Sequence, residues 1–218
     1  MKFPPILAFA FLSLWSSASA AQQVHVIDGD TISIGEIRYR LHGIDAPEAG
    51  QKCNDGKGGT WRCGDEATAR LIEMVGSSVP ECESRGNDDY GRVIAICWAG
   101  RLDLNAEMVS SGYAWAFRRY SNDYADLEDR TRGIGVGIWR APTQTAWAFR
   151  DERWAVAAQE APEGCPIKGN ISNNGHIYHA PWSPWYDRTK VSLEKGERWF
   201  CNELEAVQAG WRAPIWGR

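Results

Sequence analysis

Four short stretches carry side chains suited to phosphate or metal chemistry. The first is Val26-Ile27-Asp28-Gly29-Asp30-Thr31. Read alone, Asp-Gly between apolar runs is a hairpin turn first and a carboxylate metal ligand second. The second, Tyr39-Arg40-Leu41-His42-Gly43-Ile44-Asp45-Ala46-Pro47-Glu48, puts an Arg on a strand and then an Asp and a Glu on a loop stiffened by Pro47. A surface salt-bridge cluster would look the same. The third, Asp88-Asp89-Tyr90-Gly91-Arg92, launches an Arg from a turn at a strand start. The fourth runs from Leu104-Asn105 through Gly112-Tyr113-Ala114 to Tyr120-Ser121 and Trp139.

The elements that must hold these residues follow from periodicity. Val24, Val26 and then Ile32, Ile34 alternate with polar neighbours, the period-2 signature of half-buried strands. Three strands are therefore expected between Gln23 and Leu41, with turns at Asp28-Gly29 and Gly35-Glu36. Gly50–Gly64 reads as a loop. Ala67, Leu71, Met74 and Val75 predict a helix over Asp65–Val75, and strands are expected at Ser78–Glu83 and Arg92–Trp98. Helices follow at Leu104–Ser111, at Asp123–Arg132 with Asn122 as cap, and at Pro142–Gln159, where Trp147 and Trp154 share a face. Five short strands with a helix after the third predict an α+β, mainly β, chain built on an OB-fold barrel, an architecture whose strand surface and loops bind oligonucleotides or oligosaccharides.

In this order and spacing, the four stretches resemble the staphylococcal (micrococcal, or thermonuclease) nuclease family, from about Val24 to Trp139. The resemblance implies a Ca²⁺-dependent endonuclease acting on DNA or RNA and leaving 3′-phosphate ends. It implies Asp30 and Asp45 as carboxylate ligands of the ion, with the main-chain carbonyl of Ala46 as a third oxygen donor. Glu48 would be the general base, Arg40 and Arg92 would grip the scissile phosphate, and Tyr90 and Tyr120 would help hold a nucleotide. Asp89 and Arg118 stand where the type enzyme has a Lys and a Tyr, so its recognition of a terminal phosphate does not carry over. The implied roles agree with elementary chemistry: Ca²⁺ prefers oxygen ligands, and guanidinium forks match phosphate oxygens better than ammonium groups do.

Composition sets the surroundings. Met1-Lys2, an apolar run from Phe3 to Trp15 and small residues ending in Ala18-Ser19-Ala20 predict a signal peptide over residues 1–20, hence a secreted or periplasmic protein. That run falls short of the roughly 20 residues of a membrane span. Six cysteines, an even number in an exported chain, read as three disulfides. Chain order suggests Cys53–Cys63, Cys82–Cys97 and Cys165–Cys201, out of roughly 15 connectivities. Removing Lys2 lowers the 24 basic residues to 23 against 28 acidic ones. A net charge near −5 runs against the basic footprint expected of a nucleic-acid binder.

Residues 21–159 are expected to form the barrel domain, 160–164 a linker, and 165–218 a small unit dense in Cys and Trp. That unit is similar to a module appended to some bacterial nucleases of the family. Cys165, His176, His179 and Cys201 could make a zinc site, but a Cys165–Cys201 disulfide is the plainer reading. Trp182, Trp185, Trp199, Trp211 and Trp216 read as its core, or else as an exposed stacking platform. No obligate protein partner is evident, and a monomer is expected. The competing functional reading is a non-catalytic envelope module that binds nucleic acid or acidic polysaccharide.

Overall fold

A twisted sheet forms around alternating apolar side chains, as the periodicity requires. In the computed structural model, which describes residues 23–215, β1 (Val24–Asp28), β2 (Thr31–Ile34) and β3 (Ile37–Leu41) make an antiparallel meander. The next segment closes a small hairpin with the Cys53–Cys63 disulfide and enters α1 (Cys63–Val75). β4 (Glu81–Asn87) and β5 (Val93–Ala99) follow, and β5 pairs parallel to β3, giving the order β1-β2-β3-β5-β4. This is the expected OB-type, α+β arrangement. Ile32, Leu41, Ile44, Leu71, Leu104 and Met108 are all buried in one cluster between the curled sheet and helices α1 and α2 (Leu104–Ser110). The proposed signal peptide lies outside the described residues, among which no helix is long and apolar enough to cross a membrane.

Several boundaries differ from the sequence reading. The strand expected at Ser78–Glu83 begins at Glu81, after Pro80, which has no N–H for a ladder. It continues to Asn87 because Cys82 faces Cys97 in register and a bulge at Ser84/Gly86 carries the pairing on. Helix α3 spans Ala125–Ile134, and Asn122 does not cap it by its side chain; its carbonyl accepts the Ala125 N–H instead. Helix α4 is Ala146–Glu160, capped by the Thr145 hydroxyl, so the Pro142 end of the expected helix stays outside it.

Beyond α4, β6 (Ile167–Ser172) pairs with both β7 (Gly175–His179) and β8 (Arg198–Phe200), and α5 (Glu203–Gln208) follows. Their core is Ile167, Tyr178, Phe200, Ala206 and Trp211, with Trp154 of α4 packed against it. Of the tryptophans expected to fill this core, Trp211 does; Trp182, Trp185 and Trp199 are only half buried, and Trp216 lies outside the described residues. Cys165 and Cys201 are joined as a disulfide, while His176 stacks on Trp211 and His179 bonds Ser183, so these four residues are not a zinc site.

Candidate active site

Two glycines decide where the carboxylates stand. A Cβ on Gly29 would meet the methyl groups of Ala46 and Ala67 at 2.7 and 2.9 Å. Only glycine lets the β1–β2 turn press Asp30 against the Asp45-Ala46 segment. A Cβ on Gly64 would overlap the main-chain oxygen of Glu48, so the start of α1 can pack under the Glu48 loop only without a side chain there. Asn105 of α2 fixes the remaining wall: its amide donates to the carbonyls of His42 and Ala95, and its oxygen accepts the Cys97 N–H.

The result is a buried cluster of opposed charges. Arg40 on β3 forks between Asp30 and Asp45, lying 2.8 Å from Asp45 Oδ1. Asp30 Oδ2 also accepts the Ala46 N–H at 2.7 Å. Burial disfavours the Asp30 carboxylate, yet Arg40 and this N–H outweigh it and hold Asp30 below the usual range. Asp28, two residues away, is pushed well up by burial and then by Asp30 and Glu48. Burial also lifts Glu48 to about 7, against the pull of Arg150 and with the help of Asp30 and Asp45.

Arg150 is the residue that motif reading missed. It reaches in from α4, donating to both Asp45 oxygens at 3.1 and 2.9 Å and to Glu48 Oε1 at 2.6 Å. More than a hundred residues separate it from these partners, and no spacing signal in the sequence marks it.

Arg92 lies beyond Glu48 in a cleft of about 80 Å³ that Asp28 and Thr31 also line. Burial works against its charge, but Glu203 and Asp88 raise its basicity, and Asp88 holds the side chain at 2.6 Å. The far wall of the cleft comes from the C-terminal region: Tyr178, Trp182, Pro184 and Trp185 line it. Tyr178 donates to Glu203 at 2.7 Å and stands 3.5 Å from Arg38. Gly50, next to the Glu48 loop, would touch Pro184 and the Trp182 carbonyl if it carried a Cβ.

Of the residues singled out from sequence, Asp30, Arg40, Asp45, Ala46 and Glu48 therefore come together, and Arg92 shares a cleft with Glu48. Tyr90 lies under the Arg92 guanidinium at 5.5 Å. Tyr120 stands apart from the carboxylates, 71% exposed and packed on Phe117. Asp89 is exposed, and Arg118 is tied to Glu128 and Asp129.

The donor set suits a hard cation. It is all oxygen, and Asp30 raises the carboxyls of both Asp28 and Glu48 despite the neighbouring guanidinium groups. Among the described residues no three His, Cys, Asp or Glu side chains form a metal-holding group. A cation here would thus rest on Asp30, Asp45, the Ala46 carbonyl and water, and would share Asp45 with Arg150 or displace it.

A family model described as staphylococcal nuclease homologue matches residues 38–141. The chain is also 39% identical over 149 residues to the succinoglycan biosynthesis protein ExoI of Rhizobium meliloti, covering 65% of this chain and 78% of that one. The chain belongs to the staphylococcal nuclease family. An uncharacterized endonuclease of Haemophilus influenzae is 30% identical (62% of this chain, 74% of the relative). A micrococcal nuclease of Shigella flexneri is 32% identical (58% and 78%). Within this staphylococcal nuclease homologue, Asp30 precedes the matched segment, while Arg40, Asp45, Ala46, Glu48, Tyr90, Arg92 and Tyr120 fall inside it. A second family model, described as ArfC, matches residues 148–213 and so takes in Arg150 and the C-terminal sheet.

Proposed function

We propose that this protein is an exported, Ca²⁺-dependent nuclease that hydrolyses phosphodiester bonds of DNA or RNA and leaves 3′-phosphate ends. The observation that carries the reading is the joining of Arg40, Asp30, Asp45 and Glu48 in one buried cluster beside Arg92, in a chain whose relatives include proteins named as nucleases. Three disulfides fit an oxidising compartment, consistent with a signal peptide over residues 1–20.

Asp30, Asp45 and the Ala46 carbonyl would hold the cation, and a bound divalent cation neutralises the phosphodiester and acidifies a nearby water. Glu48, with a carboxyl raised to about 7, is matched to taking a proton near neutral pH. As the water oxygen attacks phosphorus, its proton passes to Glu48, the P–O5′ bond breaks, and the 5′ oxygen leaves with the bonding pair and takes a proton from solvent to become a hydroxyl. Arg40 and Arg92 stay charged throughout and face the oxygens on which negative charge gathers, a preorganised electrostatic contribution. Arg150 keeps the Glu48 and Asp45 carboxylates in place through its planar fork. In domain terms, residues 21–159 would carry this site, and residues 165–218, joined through 160–164, would wall it.

The test is degradation of denatured DNA by the purified protein with Ca²⁺ or with EGTA, beside an Arg40→Ala/Glu48→Ala/Arg92→Ala variant. Calcium-dependent degradation that the variant abolishes supports the reading; no degradation by folded, calcium-loaded protein overturns it. A second reading has one observation behind it, the relative named for succinoglycan biosynthesis. There the same scaffold would bind acidic polysaccharide without cleaving nucleic acid, and such a polysaccharide would bind the protein while DNA would not.

A further inference from the structure

The cleft that holds Glu48 and Arg92 is closed over by the C-terminal region. Its volume is about 80 Å³, whereas pockets that take a drug-sized ligand run to roughly 300–1,000 Å³. A nucleotide does not fit. Tyr178 on β7, Trp182 and Trp185 in the loop after it, and Glu203 at the start of α5 make the far wall. Tyr178 sits in a sheet that shares no strand with the barrel sheet, and all four residues fall inside the second family match.

This wall also places charge. Burial opposes the positive charge of Arg92, and Glu203 together with Asp88 upholds it. Asp88 belongs to the barrel and holds the Arg92 side chain at 2.6 Å. Glu203 is brought in from outside: Tyr178 donates to its carboxylate at 2.7 Å, and Arg38 of β3 lies 3.5 Å from the Tyr178 oxygen. A carboxylate so placed competes with a phosphodiester for the Arg92 guanidinium and repels an incoming polyanion.

The wall rests on the barrel without being woven into it. The Trp182 carbonyl and the Pro184 side chain stand 3.4 and 3.6 Å from where a Cβ on Gly50 would lie. Behind the wall, Arg153 of α4 donates to the Pro181 carbonyl at 3.0 Å and to Asp187 at 2.9 Å, and Trp182 packs on Trp154 with centroids 6.2 Å apart. A seam made by side chains and close packing can open without unpicking a sheet, as interfaces within one chain commonly do.

We propose that Tyr178, Trp182, Trp185 and Glu203 form an autoinhibitory cover, with a phosphodiester reaching Glu48 and Arg92 only when the cover moves aside. In the closed state Glu203 stands in for the phosphate. The inference rests on the nuclease reading for the site that is covered and goes beyond it in giving the C-terminal region a regulatory role.

The test locks the cover. A Cβ on Gly50 would lie 3.6 Å from that of Pro184, within the roughly 3.5–4.5 Å span of a disulfide. Gly50→Cys/Pro184→Cys is oxidised shut, its new bridge verified by peptide mapping, and compared with the same protein and the wild type in mild reductant. Two quantities are read: cleavage of denatured DNA in Ca²⁺, and anisotropy of a labelled oligothymidylate in EGTA. The lock should lower kcat/KM and affinity at least about tenfold, since apparent affinity scales with the open fraction, and reductant should restore both. Glu203→Gln keeps an oxygen for the Tyr178 hydroxyl and should raise both by about tenfold, because like-charge repulsion is removed. That variant decides the matter if the double cysteine fails to fold. Wild-type cleavage and binding that neither change alters overturn the cover and leave the nuclease reading intact. A loss of activity in Glu203→Gln also overturns it, making Glu203 a positioning residue for Arg92. Binding that shifts as expected, with no cleavage by any form in Ca²⁺, leaves the cover standing and removes the nuclease reading.

Discussion

The site is built from two regions that contribute in different ways. The barrel supplies Asp30, Arg40, Asp45, Glu48 and Arg92 from turns and strands tied by backbone pairing: β2 to β3, β3 to β5, and the Asp45 strand to Trp115. Helix α4 and the C-terminal region behind it supply Arg150, Tyr178, Trp182 and Glu203 through side chains. Main-chain ladders fix positions to fractions of an ångström, while a long guanidinium arm reaches its target only as well as its helix is docked. The barrel side should therefore set whether chemistry happens, and the α4 side how carboxylates and substrate are held.

The largest expected effect tests the barrel half. Glu48→Gln should lower kcat by about 10²–10⁴ with little change in fold, measured on denatured DNA at saturating Ca²⁺. An unchanged rate would remove Glu48 from the mechanism and erase the contrast at its strongest point. Next in size, Cys165→Ala/Cys201→Ala should cost about 2–4 kcal/mol of stability, read by urea denaturation. If the two regions are as separable as their bonding suggests, β6–β8 unfolds first while the barrel signal survives; a single shared transition would show them to be one cooperative unit.

Arg150→Ala should act on both halves. It leaves the buried Asp45 without one of its two cationic partners, at about 1–3 kcal/mol, and lets the Glu48 carboxyl rise further because Arg150 now holds it down. The acid limb of kcat/KM should move to higher pH, and Arg150→Lys should restore it only in part, since an ammonium group cannot bridge two carboxylates as a planar fork does. An unmoved acid limb would reduce Arg150 to packing.

The smallest effect belongs to the C-terminal region alone. Burial, then Lys168 and Arg188, lower His179 from its ordinary 6.5 to about 4. A lowered folded value means that the unfolded chain takes up the proton first as pH falls. The neutral imidazole's contribution is therefore complete above about 6.5 and is lost on acidification toward 4. Between pH 7 and 5.5 the wild type should lose about 1 kcal/mol more than His179→Asn, compared by denaturation midpoints. Parallel losses would place His179 outside the linkage.

The strands from Val24 to Leu41, the helix after the loop and the pairing of neighbouring cysteines were legible because each depends on periodicity or on partners close in sequence. Strand ends were less so: the ladder between β4 and β5 runs through a bulge at Ser84/Gly86 that no alternation announces. The segment Arg40 to Glu48 was legible as chemistry because its cations and carboxylates lie within nine residues on one strand and the loop beyond it. In the first stretch, by contrast, Asp28 read as a turn residue before a metal ligand, although its carboxyl belongs to the same charge cluster.

What the amino-acid order determined by itself was thus the barrel and the family, and by resemblance it proposed the set Asp30, Arg40, Asp45, Ala46, Glu48 and Arg92 for the site. Only the tertiary structure decided that Arg150 grips Asp45 and Glu48, that Tyr178 and Trp182 wall the cleft, and that Trp147 meets Phe117. The reason is physical. An ion pair between residues more than a hundred positions apart leaves no local period or spacing in the chain, and it exists only once α4 has packed its two tryptophans, Trp147 toward the barrel and Trp154 toward the C-terminal sheet.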